Sequence, residues 1–297
     1  MSFPFFTARH VPRLARIIGL LSLALALAGC STLKLGYSTL PEIAYWWLDS
    51  YIDLEDGQSQ RLREDLQRLH AWHRANELPR LVALLERMEK LAPQDATPAQ
   101  VCAFEPELRE RYAAARERAE PAIVTNALTV TPAQLDHLQR RYARNNRDFE
   151  KNWIRPPPAE QIDRRMKLVG DRLEAVYGTL TEPQRAALRR HLEASPFPAA
   201  QVLAERKRRQ QDTLAVLQRL TAQQVSLGDA RAALRGLLDR FTESPDPAYR
   251  AYQAESVQDL CRMVATVHNA AGPPQREQAA RRLRGWQRDL GELSSAP

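Results

Sequence analysis

The sequence predicts an all-α protein, an irregular multi-helix bundle of about eight to ten amphipathic helices. Three observations carry that reading. Apolar residues recur at three- and four-residue steps along most of the chain. No run alternates with period two over the length of a strand. Only 11 glycines occur in 297 residues, and prolines cluster at Pro156 to Pro158, Pro196 and Pro198, Pro245 and Pro247, and Pro273 and Pro274, where helices are expected to break.

The chain opens with Arg9, Arg13 and Arg16, then an apolar run from Ile17, then small residues. That order is the order of an export signal, and the run is shorter than the roughly 20 residues a membrane-spanning helix needs. It ends in Leu27-Ala28-Gly29-Cys30, which resembles the lipobox of bacterial lipoproteins. The resemblance implies cleavage after Gly29, a diacylglyceryl thioether on Cys30 and a further acyl chain such as palmitate on the new amine. Two or more acyl chains hold a protein on a bilayer stably, at about 0.8 kcal/mol per buried methylene. An ordinary secretory signal with a chance cysteine is the alternative. Ser31 stands where an Asp would mark inner-membrane retention in that class, so the implied destination is the outer membrane, with the body facing the periplasm. The domain reading is therefore a signal peptide over 1–29, a lipidated tether over 30–40 and a helical periplasmic domain over 41–297, with a candidate internal break at 155–158.

From Pro41 the stretch PEIAYWWLDSYIDL carries Tyr45, Trp46, Trp47 and Tyr51. A short helix packed on the body through these rings is expected, with a seat at the membrane interface as the alternative. Leu62, Leu66, Leu69, Trp72 or His73, Leu78, Leu81, Leu85 and Met88 form one stripe over 56–91. Pro79 predicts a kink or break near Leu78. Leu135, Leu138, Tyr142, Phe149 and Trp153 mark the next helix, with Asn145 on the same stripe. Ile162, Met166, Val169, Leu173 and Val176 mark another. Leu214, Leu217 and Leu220 follow, then Leu234, Leu237 and Phe241. Tyr249, Tyr252, Leu260, Val264 and Val267 mark the penultimate helix, and Leu283, Trp286 and Leu290 the last.

Four starts share one local signature: Thr97 with Gln100, Thr131 with Gln134, Thr181 with Gln184, and Thr221 with Gln224. Each reads as a capping box, in which the Thr hydroxyl takes an orphan amide and the Gln reaches back to the cap amide. Pro98 and Pro132 stand at the first helical position, where a missing donor is harmless. Leu180-Thr-Glu-Pro-Gln184 and Leu220-Thr-Ala-Gln-Gln224 also resemble the L-T-x-x-Q motif of the Spy-like periplasmic chaperones, small helical cradles that bind unfolded clients. Capping alone accounts for the same residues.

Chemistry is sparse. Without residues 1–29, forty basic side chains face 36 acidic ones, a formal +4. An exported protein seldom meets nucleic acid, which is not an expected partner; a solvated basic surface is expected, with anionic lipid, lipopolysaccharide or an acidic polypeptide as the alternative. Cys102 and Cys261 are expected to form a disulfide in an oxidising compartment, two buried thiols being the alternative. On a helix His70, His73 and Glu77 share one side, a set that suits zinc or copper. A fourth ligand is not evident, and the expected use is a His73–Glu77 pair with Trp72 packed inward. Arg206-Lys207-Arg208-Arg209 is the densest basic run; pairing with Glu205 or Asp212 is expected, with anionic lipid or a client as the alternative. No G-x-S-x-G, H-E-x-x-H or glycine-rich phosphate loop is present, so neither an enzyme nor a cofactor is expected.

A wider resemblance runs through Gly29-Cys30-Ser31, Trp46-Trp47-Leu48-Asp49, Tyr51-x-Asp53-Leu54, Gln58, Trp72-His73-Arg74 with Glu77-Leu78-Pro79, and Arg208-Arg209-Gln210-Gln211. In that order these residues resemble a family of Gram-negative lipoproteins catalogued as a domain of unknown function, W-H-R-x-x-E-L-P being the most specific element. The resemblance implies an exported lipoprotein and no particular activity. The expected function is a non-enzymatic binding role toward polypeptide or envelope components, beside a membrane held through the N-terminal lipid. A Spy-like chaperone or stress sensor, and a structural subunit of an envelope complex, are the alternatives. The oligomeric state is left open.

Overall fold

The computed structural model describes residues 32–195, 197–222 and 225–295. These residues are almost entirely helical, and no strand occurs among them. The described residues divide into two units between Leu40 and Pro41.

Of the first unit, Thr32–Ser38 forms a short helix, α1, closed where the Thr39 hydroxyl donates to the carbonyls of Leu35 and Gly36. The expected plain tether is thus helical over this stretch, which no proline interrupts before Pro41.

The body runs in order through α2 (Leu40–Ile52), α3 (Asp56–Asn76), α4 (Leu78–Leu91), α5 (Pro98–Cys102), α6 (Glu105–Ala127) and α7 (Pro132–Phe149). A π turn (Glu150–Ile154) leads to α8 (Pro158–Tyr177), α9 (Glu182–Ala194), α10 (Ala199–Ala222), α11 (Leu227–Thr242), α12 (Pro247–Asn269) and α13 (Pro273–Ser295). The helices outnumber the eight to ten expected. Pro79 ends α3 and starts α4 around Glu77, and Thr97-Pro98 starts the extra short helix α5.

The boxes at Thr97, Thr131 and Thr181 all form, and Gln100, Gln134 and Gln184 accept from the cap amides at 2.8, 3.0 and 3.1 Å. The fourth does not. Thr221 lies inside the last turn of α10 with its hydroxyl donated to the Gln218 carbonyl, and Gln224 is outside the described residues. Ser226 caps α11 instead, accepting from Asp229 N–H at 3.1 Å.

Two buried clusters fill the body. One joins Leu173, Tyr177, Leu188, Leu192, Met263, Val267 and Leu283, from α8, α9, α12 and α13, with α4 packed alongside through Leu85 and Met88. The other joins Val124, Leu135, Leu138, Leu217, Leu234 and Leu237, from α6, α7, α10 and α11. The Pro156–Pro158 stretch lies between α7 of one cluster and α8 of the other. Leu260, expected on the inner stripe of α12, is exposed; the adjacent Cys261 faces inward instead.

Candidate functional site

The aromatic helix α2 divides its rings between two sides. Tyr45 is buried, its hydroxyl 3.1 Å from Ser59 Oγ and its ring under the Arg63 guanidinium at 3.5 Å. Tyr51 and Ile52 reach the second cluster, and the Tyr51 hydroxyl accepts from Asn145 Nδ2 at 2.7 Å. Ile43, Trp46 and Trp47 point the other way and are 56, 61 and 59% exposed. The expectation that these rings pack on the body therefore holds for the tyrosines and fails for both tryptophans. The cause is spacing. Residues 43, 46 and 47 share one side of a helix, while 45, 48, 49 and 52 share the opposite one.

What holds α2 in this attitude is a polar knot at its C-terminal end. Asp53 adopts a left-handed backbone (φ 60°), and its carbonyl accepts from Gln134 Nε2 at 2.9 Å. Asp49 accepts the Leu54 amide at 2.9 Å. A left-handed turn suits Asp better than most non-glycine residues.

The lipobox Leu27, Ala28, Gly29 and Cys30 lies outside the described residues. Cys102 and Cys261 form a disulfide with a Cα–Cα separation of 5.5 Å, joining α5 to α12. Among the described residues no group of three His, Cys, Asp or Glu side chains is placed to hold a metal ion, and His70, His73 and Glu77 form no such set. Glu77 is buried where α3 gives way to α4, with its carboxylate 3.5 Å from the Arg111 guanidinium. Burial holds the His73 imidazole below its ordinary pKa, against the attraction of Glu77.

The basic run is consumed within the fold. Arg208 and Arg209 donate to Glu205 at 2.8 and 2.7 Å, Arg208 also faces Asp212, Lys207 pairs with Glu150, and Arg206 lies over the Phe149 ring. Burial alone would raise the Glu205 carboxyl, but hydrogen bonds from Arg208, Arg209 and Ser244 outweigh it and bring its pKa down to about 2.

Two groupings escaped the sequence because their members are far apart in the chain. Ser195 Oγ donates to Asp259 Oδ2 at 2.6 Å, and His191 Nε2 lies 3.2 Å from Asp259 Oδ1. The carboxylate stands between hydroxyl and imidazole, so the nucleophile-to-base bond of a hydrolase triad is not made here. Glu120 on α6 takes both Arg231 and Arg235 of α11, which hold it below the usual carboxylate range. Glu120 and Arg235 also line a cavity of about 320 Å³, together with Arg116, Leu238 and Asp239.

A family of unknown function (DUF6279) matches residues 50–243. The chain belongs to that family. The match begins inside α2 and ends one residue beyond α11, so it includes Asp53 and Gln134 of the knot, the Glu77 junction and the whole second cluster. No curated protein and no solved structure shows significant similarity to the chain.

Proposed function

We propose that this protein is a membrane-anchored lipoprotein, acylated at Cys30, whose helical body serves by binding polypeptide or envelope components on the periplasmic side of the outer membrane. The observation that carries the reading is the N-terminal order of Arg9, Arg13 and Arg16, the apolar run, and Leu27-Ala28-Gly29-Cys30. A lipid anchor also fits a body in which no helix among the described residues is long and apolar enough to cross a membrane. A binding role, in place of catalysis, is supported by a sequence that carries no G-x-S-x-G, H-E-x-x-H or glycine-rich phosphate loop.

Mass spectrometry of the protein from its native membrane tests the anchor. The expected result is a chain beginning at residue 30 with a diacylglyceryl mass on its cysteine. An unmodified Cys30, or residues 1–29 still attached, overturns it. Cross-linking in intact cells tests the binding role, and a body that forms no adduct beyond itself counts against it.

A further inference from the structure

We propose that the Ile43–Trp46–Trp47 face of α2 docks on the bilayer, laying this helix in the interfacial layer and giving the body a fixed orientation on the membrane. The inference rests on the anchor reading above and adds to it a second point of attachment made by the body itself.

Four observations select lipid as the occupant. The first is chain position. Ile43 follows Cys30 by thirteen residues, so lipid on Cys30 confines α2 to within about 45 Å of the bilayer even if the intervening chain were fully extended. The second is chemistry. Indole rings, apolar with one N–H, are enriched at the level of lipid headgroups, where a helix lying in the interface buries its apolar side by about 5–10 Å. The third is size. Three side chains a little over half exposed offer about 400 Å², half of the roughly 800 Å² per partner that a stable protein interface buries. The fourth is charge. The two carboxylates of α2 are already engaged, Glu42 by Arg63 and Asp49 by the Leu54 amide, so the helix carries both partnered, and Arg63 spans the Tyr45 and Trp46 rings at the rim.

The test uses the full chain as purified from membranes, mixed with vesicles of phosphatidylethanolamine and phosphatidylglycerol whose acyl chains carry bromine. The Trp46→Phe/Trp47→Phe variant gives the emission of the other tryptophans, and subtraction isolates these two. Their emission is expected to fall about two-fold on vesicles, since a depth of about 5–10 Å brings the rings to the acyl boundary. A Trp46→Ser/Trp47→Ser variant is expected to keep the same circular dichroism and flotation but to lose orientation, read as faster proteolysis of the vesicle-bound body. Mass spectrometry of the same sample reads Cys30 separately. An acylated chain that floats while its Trp46 and Trp47 stay unquenched overturns the docking face and leaves the anchor standing. An unacylated chain whose two tryptophans are quenched supports the face and removes the anchor. An unacylated chain that neither floats nor quenches overturns both. Protection of the two rings without lipid, in a sedimenting dimer, assigns the face to a second copy and overturns the proposal.

Discussion

The carboxamides of Gln58 and Gln134 grip one another: Gln134 Nε2 donates to Gln58 Oε1 at 2.6 Å, deep in the body. Each is also the glutamine of its own capping box, Gln58 taking the Glu55 amide at 3.0 Å and Gln134 the Thr131 amide at the same distance. Their remaining donors go to main-chain carbonyls, Gln58 to Thr129 at 2.6 Å and Gln134 to Asp53 at 2.9 Å. Two helix starts and the turn that ends α2 are thus one hydrogen-bonded unit.

Replacing either glutamine by Ala strands buried partners, at a cost of about 1–3 kcal/mol each. Because both losses act on the same unit, the double variant is expected to cost less than the sum of the singles. Urea denaturation of the four proteins measures this. Additive losses would show that the two side chains act separately.

Acid is expected to lower the stability of the protein in two stages. The His268 imidazole is buried, with Nδ1 accepting from the Tyr177 hydroxyl at 2.8 Å and Nε2 donating to the Gln94 carbonyl at 2.7 Å. Burial lowers its pKa, so the unfolded chain takes the proton first and stability declines as pH drops below 6.5. Glu205 is likewise lowered, from 4.5 to about 2. Its contribution is complete above pH 4.5 and is lost as pH falls toward 2, amounting to about 3 kcal/mol. In Glu205→Gln the second stage is expected to shrink in a pH series of denaturant midpoints, what is left belonging to the other lowered carboxylates such as Glu120 and Asp212. A second stage of unchanged size would mean that Glu205 contributes nothing to it.

Reduction of Cys102–Cys261, which lie 159 positions apart, is expected to cost about 5 kcal/mol on the loop-entropy account. Thermal melts with and without reductant measure it, and the Cys102→Ala/Cys261→Ala variant is expected to match the reduced protein. A melting point indifferent to reductant would mean that the bond constrains little.

Leu188 is wholly buried in the first cluster, where truncation leaves a void that neighbouring helices close only in part. Leu188→Ala is expected to lose about 2–5 kcal/mol, whereas Leu260→Ala on the surface is expected to lose less than about 0.5 kcal/mol.

Features set by neighbours in the chain were legible in the sequence. Three of the four Thr–Gln starts form because a capping box needs only residues three apart. Pro79 divides α3 from α4 because a proline removes a donor wherever it stands. Thr221 misled because Ser226, five residues on, offers the competing cap. The candidate site was half legible. Its aromatic content was plain, but rings at 45, 46, 47 and 51 surround a helix, and only the remote Arg63, Ser59 and Asn145 decide which of them turn inward. Pairings such as Glu77 with Arg111 or Glu120 with Arg231 join residues that periodicity cannot relate.

The covalent cross-link between α5 and α12 encloses the proline-rich stretch at 156–158. A protease that cuts the chain there releases nothing: both pieces stay joined through sulfur and migrate together until a thiol separates them. Damage of this kind is invisible on a non-reducing gel, and the severed body remains attached to whatever holds its N-terminal part.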